Sequence, residues 1–194
     1  MSHRARASVT FVVLFLFGVV IDHLYAEKFT ASFSFPKTIG ELSFDKLREP
    51  TEDRSTQAVY QAPGMTLTVI IFGSSSDLPD GIESERFRAE FETSKMAVLD
   101  PRAWDKAKLL REGTAVLGAP PKTIPAREAS FMISEEGMKS FSYLYLAASR
   151  KVFFKVRYTV AKKQRKSGEQ HLPLIRSAIG QLITDYAANM DDAS

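Results

Sequence analysis

The chain has 194 residues, 44% hydrophobic and 25% charged, a balance inside the globular range that indicates neither wholesale disorder nor a membrane protein. Its 26 basic and 23 acidic side chains leave a formal charge of +3, with no global pull toward nucleic acid or anionic lipid. There is no cysteine, which excludes disulfides, thiolate nucleophiles, cysteine zinc sites and a lipidated cysteine anchor.

Arg4 and Arg6 precede an apolar run over residues 9–21, and a short polar segment ends at Leu24-Tyr25-Ala26. This is the anatomy of a secretory signal peptide, and roughly 18 to 20 apolar residues are needed to cross a bilayer. Cleavage after Ala26 is expected, which places the protein in the periplasm or outside the cell and limits membrane contact to an uncleaved signal. Without Arg4, Arg6 and Asp22 the basic count falls from 26 to 24 and the acidic count from 23 to 22. Residues 27–194 suffice for a single domain with a real core.

Residues 27–36, with Phe29, Phe33 and Phe35 among Thr and Ser, read as an extended entry segment. Residues 42–47 alternate Leu42 and Phe44 with Ser43 and Asp45, a short strand, and 48–54 form a charged turn around Pro50. Pro63-Gly64 suits the centre of a type II turn, so 56–62 and 65–72 form a hairpin. A polar loop at 73–81 leads into an amphipathic helix over 82–99, with Phe87, Phe91 and Val98 near helical spacing, ended by Asp100-Pro101. Residues 104–117 start like a helix and end like a strand at Thr114 and Val116, and 118–125 read as a loop.

Residues 128–134, 139–147 and 152–160 form a meander joined at Glu136-Gly137 and Ser149-Arg150. In its last strand Val152, Phe154, Val156, Tyr158 and Val160 alternate with Phe153, Lys155, Arg157 and Thr159, predicting one buried face and one mostly wet face. Leu172, Ile175, Ile179, Leu182, Ile183 and Tyr186 then recur at helical spacing over 170–190, with Pro173 tolerated in the first turn. The expected fold is α+β, an antiparallel sheet of about six strands covered by helices. The string VYQAPGMTLTVIIF, then a helix, then three strands ending KVFFKVRYTV and a long terminal helix, resembles exported bacterial proteins of unknown function with the plan of the PsbP-like superfamily. The resemblance implies an α/β/α sandwich and a non-catalytic accessory or binding role, and it carries no site residues.

Few residues suggest chemistry. His171 is the single histidine after residue 26, expected to be an exposed helix-entry residue, and no G-x-S-x-G elbow accompanies it. Ser43-Phe44-Asp45-Lys46 matches S-x-x-K without its S-D-N and K-T-G partners, and in a regular strand Ser43 and Lys46 point to opposite faces. Asp77 and Asp80 alone are too few for the six to eight ligands of calcium, but Glu83 and Glu85 are close enough in sequence to add, which leaves a metal option beside the reading of a solvated loop whose acids suit the helix N-terminus that follows. Tyr143, Tyr145, Tyr158 and the Phe153-Phe154 pair read as sheet packing, or as an exposed aromatic patch if they share the face opposite the helices.

Lys162, Lys163, Arg165 and Lys166 form the densest basic run, and Lys155 and Arg157 on the preceding strand extend it into one positive patch. These residues support a non-catalytic exported binding protein that recognises a protein or anionic envelope component through its sheet face and this patch. No cofactor, metal or nucleic acid is called for. The alternative is a carboxylate-based hydrolase or transferase of the cell envelope, since a spatially assembled acid pair leaves no local signature.

Overall fold

Gly40 adopts φ +61°, which glycine accepts without steric cost, so the chain reverses at once and pairs β1 (Thr38–Ile39) with β2 (Leu42–Arg48). The computed structural model describes residues 33–48, 55–73 and 81–191, and those from Phe35 onward belong to one compact unit. The signal-peptide reading, most of the entry segment, the turn after Arg48 and the acids Asp77 and Asp80 lie outside the described residues. The hairpin of β3 (Ser55–Ala62) and β4 (Met65–Gly73) turns at Pro63-Gly64 as expected, with Gly64 at φ +68°. The Gly64 carbonyl accepts from the Ala161 N–H at 2.9 Å, which ties this turn to the end of a distant strand.

Helix α1 (Glu85–Leu99) starts where the Ser84 hydroxyl accepts the Phe87 N–H at 3.2 Å, and ends where Asp100 becomes extended before Pro101. The strands β5 (Lys106–Ala119), β6 (Lys122–Glu135), β7 (Met138–Ser149) and β8 (Val152–Ala161) form a meander. Glu136 and Gly137 both have positive φ, as the tight turn between β6 and β7 requires. A 3₁₀ turn (Lys162–Gln164), the short α2 (Arg165–Glu169) and the long α3 (Leu172–Asp191) complete the chain.

All eight strands belong to one antiparallel sheet in the order β1-β2-β3-β4-β8-β7-β6-β5. On one face, Phe87, Phe91 and Val98 of α1 pack against Ala129, Phe131, Ile133, Leu144, Leu146 and Phe153. On the other, Ile175, Ile179, Leu182, Ile183 and Tyr186 of α3 are buried, and Tyr186 meets Phe154 edge-on at 5.8 Å. Each buried Val, Leu, Ile or Phe among them contributes about 1.5 to 3 kcal/mol, so the sheet is held from both faces.

The α/β/α sandwich of about six strands is thereby corrected. Among the described residues the sheet has eight strands and curls into a half-barrel accompanied by three helices. The added strands are β1 and β5. Strand β5 evades a period-two reading because Leu110 is a bulge residue between Leu109, opposite Phe131, and Arg111, opposite Ser130. Ala107 and Leu109 therefore pack toward α1, while Leu117, also odd-numbered, approaches α3. The expected loop at 118–125 contracts to Pro120-Pro121. Pro125 fits in β6 because pairing with β7 begins only at Arg127, so that stretch is an edge of the sheet, where a residue without an N–H is tolerated. In β8 the buried face is as expected, but the opposite face is half-buried rather than wet, since Lys155, Arg157 and Thr159 lie on the side of the sheet that α1 occupies.

Candidate functional site

Strand alternation and the β5 bulge bring a polar cluster together on the α3 face. Glu128 and Ser130 of β6, Tyr143 and Tyr145 of β7, and Arg111 of β5 lie side by side, and α2 and the first turn of α3 close over them with Arg165, Glu169, Leu172 and Arg176. They enclose a cleft of about 360 Å³, within the range of small-ligand sites.

Arg176 anchors one half. Its Nη2 donates to Glu128 Oε2 at 2.8 Å and to the Tyr145 hydroxyl at 3.2 Å, and its guanidinium carbon stands 5.2 Å from the centre of the Tyr145 ring. Arg111 reaches the other Glu128 oxygen at 3.2 Å, so one nearly buried carboxylate is shared by two guanidiniums. In the other half, Tyr143 Oη and Arg165 Nε, the latter at 2.8 Å, both donate to Glu169 Oε1, and the Arg165 guanidinium lies 4.0 Å over the Phe141 ring. Burial, then the Glu169 bond, pushes the Tyr143 hydroxyl well above the ordinary phenol range, and burial likewise raises that of Tyr145. The Glu169 carboxyl is held below the usual range, first by the Tyr143 hydroxyl and then by Arg165. Neither tyrosine is poised to lose a proton near neutral pH, and Glu169 is poorly suited to donate one. Three guanidiniums against two carboxylates leave the cleft net positive over an aromatic floor, which favours a carboxylate or phosphate.

The six residues of the expected basic patch divide. Lys162, Lys163, Arg165 and Lys166 follow one another along the 3₁₀ turn and α2, exposed, and Arg165 also lines the cleft. Lys155 and Arg157 point to the opposite sheet face. Lys155 lies 3.8 Å from Glu90 of α1 and over the Phe72 ring, and Arg157 lies beneath Trp104.

Other candidates resolve as structure. His171 is buried rather than exposed, with Nδ1 3.1 Å from the Ser167 carbonyl and Nε2 3.9 Å from Glu41. A bulge between Phe44 and Lys46 puts Ser43, opposite Gln61, and Lys46, opposite Val59, on one face rather than two, yet Ser43 sits within a strand and not at the start of a helix, as that chemistry requires. Tyr145 and Tyr158 are buried on the α3 face and Phe153 on the α1 face, so no shared aromatic patch forms. Among the described residues no group of three or more acids or histidines could hold a metal.

Sequence reasoning passed over Arg111, Glu128, Glu169 and Arg176. Arg176 had a readable signal. It lies four residues after Leu172 and three before Ile179, on the apolar stripe of its helix, where a charge needs a partner.

No family model and no curated protein matches the chain. A crystal structure from Bacteroides thetaiotaomicron VPI-5482 is similar at 16% identity with a TM-score of 0.34, the match covering 69% of this chain and 44% of that one. The chain thus spans less than half of that protein.

Proposed function

We propose that this is an exported, non-catalytic binding protein whose cleft receives a carboxylate or phosphate group of an anionic envelope partner. The convergence of Arg111, Arg165 and Arg176 on one cavity that holds two carboxylates carries the reading. Lys162, Lys163 and Lys166, exposed beside Arg165, extend the contact along the partner. The charged start and apolar run over residues 9–21 support export. A carboxylate-based hydrolase has less support, because such chemistry calls for an acid raised above its ordinary range and Glu169 is shifted the other way.

Fluorescence anisotropy with a labelled oligo-aspartate tests the proposal. Saturable binding is expected, weakened about tenfold, or 1.4 kcal/mol, by combined Lys162→Glu, Lys163→Glu and Lys166→Glu, which leave the melting temperature near that of the wild type. Binding indifferent to both this variant and Arg176→Gln would remove the site.

A further inference from the structure

On the α1 face, away from the cleft, Arg157 is a guanidinium without a counter-ion among the described residues. It stands mid-sheet in β8, between Thr68 of β4 and Leu144 of β7. Its Nε donates to Ser142 Oγ at 3.1 Å, and that hydroxyl lies 3.2 Å from Thr159 Oγ1. Its Nη2 is buried with no hydrogen-bond partner. Trp104, in the connection between α1 and β5, covers it with the ring centre 4.9 Å from the guanidinium carbon, and the indole N–H is buried and unpartnered as well. The lysines near α1 are provided for: Lys95 pairs with Glu92 and Glu112, and Lys155 with Glu90. No carboxylate among the described residues pairs with Arg157, and desolvation alone lowers its pKa from the ordinary arginine value.

An unpaired charge and two orphaned donors stacked together are costly, because each buried donor forfeits its bond to water without a replacement. Fixed donors with no internal acceptor match the chemistry of an oxyanion. We propose that Arg157 and Trp104 form a second binding site, for a small oxyanion, a carboxylate or a phosphate, with the hydroxyls of Ser142 and Thr159 beside it and Trp104 as its cover. Both donor atoms are sealed, so the indole ring lifts to admit the ion and closes over it. The site is independent of the cleft, which lies on the other face of the sheet.

Trp104 is the chain's single tryptophan, so its emission reports on this site alone. The full chain is titrated with inorganic phosphate and, separately, with acetate, at ionic strength held constant with sodium chloride. A saturable change in Trp104 emission is expected with at least one of them, lost in Arg157→Gln and retained in Arg176→Gln. Saturation by phosphate alone identifies a phosphate site, and saturation by acetate a carboxylate site. Failure of the proposed cleft function would leave this response intact. Should Arg157→Gln not fold, the indole N–H resonance of the wild type serves instead, with a downfield shift expected as the ion accepts its hydrogen bond. No saturable response to either anion, or an equal response in a folded Arg157→Gln, would overturn the site.

Discussion

Glu169 accepts from Tyr143 and Arg165 at a single carboxylate oxygen, and that arrangement sets a pH dependence. A carboxyl held below its ordinary value of 4.5 contributes its stabilisation in full above that value and loses it as the pH falls through the lowered one. Glu169→Gln is therefore expected to lower the melting temperature at pH 7, with the difference from wild type beginning to shrink below about pH 4.5, where the unfolded chain's carboxylate protonates, and vanishing as the folded one protonates at its lowered value. Melting curves from pH 7 to pH 3 check this, and a difference constant across the range contradicts it. Arg157 supplies an opposite case. Because its charge is desolvated without a counter-ion, Arg157→Met is expected to leave stability unchanged or to raise it by up to about 2 kcal/mol in anion-free buffer. A loss of more than about 2 kcal/mol on urea unfolding would show that the guanidinium is needed for packing. Neither behaviour was legible in the sequence. Arg157 and Arg165 both read there as members of one basic patch, and only the strand's alternation, taken together with which helix lies on which face, separates them.

Helix α3 meets the β5–β6 hairpin backbone to backbone. A Cβ on Gly180 would lie 2.0 Å from the Gly118 nitrogen and 2.7 Å from the Leu117 carbonyl carbon, atoms that cannot swing aside as a side chain can. In an open helix Gly→Ala gains about 1 kcal/mol. Here Gly180→Ala is expected to cost about 1 to 3 kcal/mol by overpacking. Gly113→Ala on β5, where nothing lies within 4 Å of the added carbon, should be neutral or slightly stabilising. Urea midpoints of the two variants test the pair, and a stabilised Gly180→Ala would mean that α3 does not seat as closely as described. A lone glycine inside a helical stripe is a sign of close approach, so this contact was partly readable. Strand β5 was less so. Its bulge at Leu110 moves the inward positions to the other face partway along, and a strand whose alternation changes face resembles neither period.

At the scale of the whole molecule, two runs of hairpins, β1 to β4 and β5 to β8, meet at one long-range seam where β4 pairs with β8, Val69 opposite Val156 and Ile71 opposite Phe154. Helix α1 makes the seam possible by carrying the chain from β4, mid-sheet, to β5 at the far edge. The hairpins were legible from Pro63-Gly64 and Glu136-Gly137, whose turn chemistry is local. The seam was not, because alternation tells which face a residue takes and not which strand lies beside it. The cleft depends on this layout, since its arginines come from β5, α2 and α3 and share no local motif.

A thermal-shift measurement with carboxylated and phosphorylated envelope fragments beside their neutral analogues, on wild type and Arg176→Gln, tests the binding role most directly. A ligand at 100 times its dissociation constant stabilises by about 2.7 kcal/mol, and a domain of this size rises roughly 2 to 4 °C per kcal/mol. The binding role predicts a rise of roughly 5 to 11 °C with at least one anionic fragment, none with its neutral analogue, and loss of the rise in Arg176→Gln. A rise produced equally by neutral fragments, or one that survives Arg176→Gln undiminished, would contradict it.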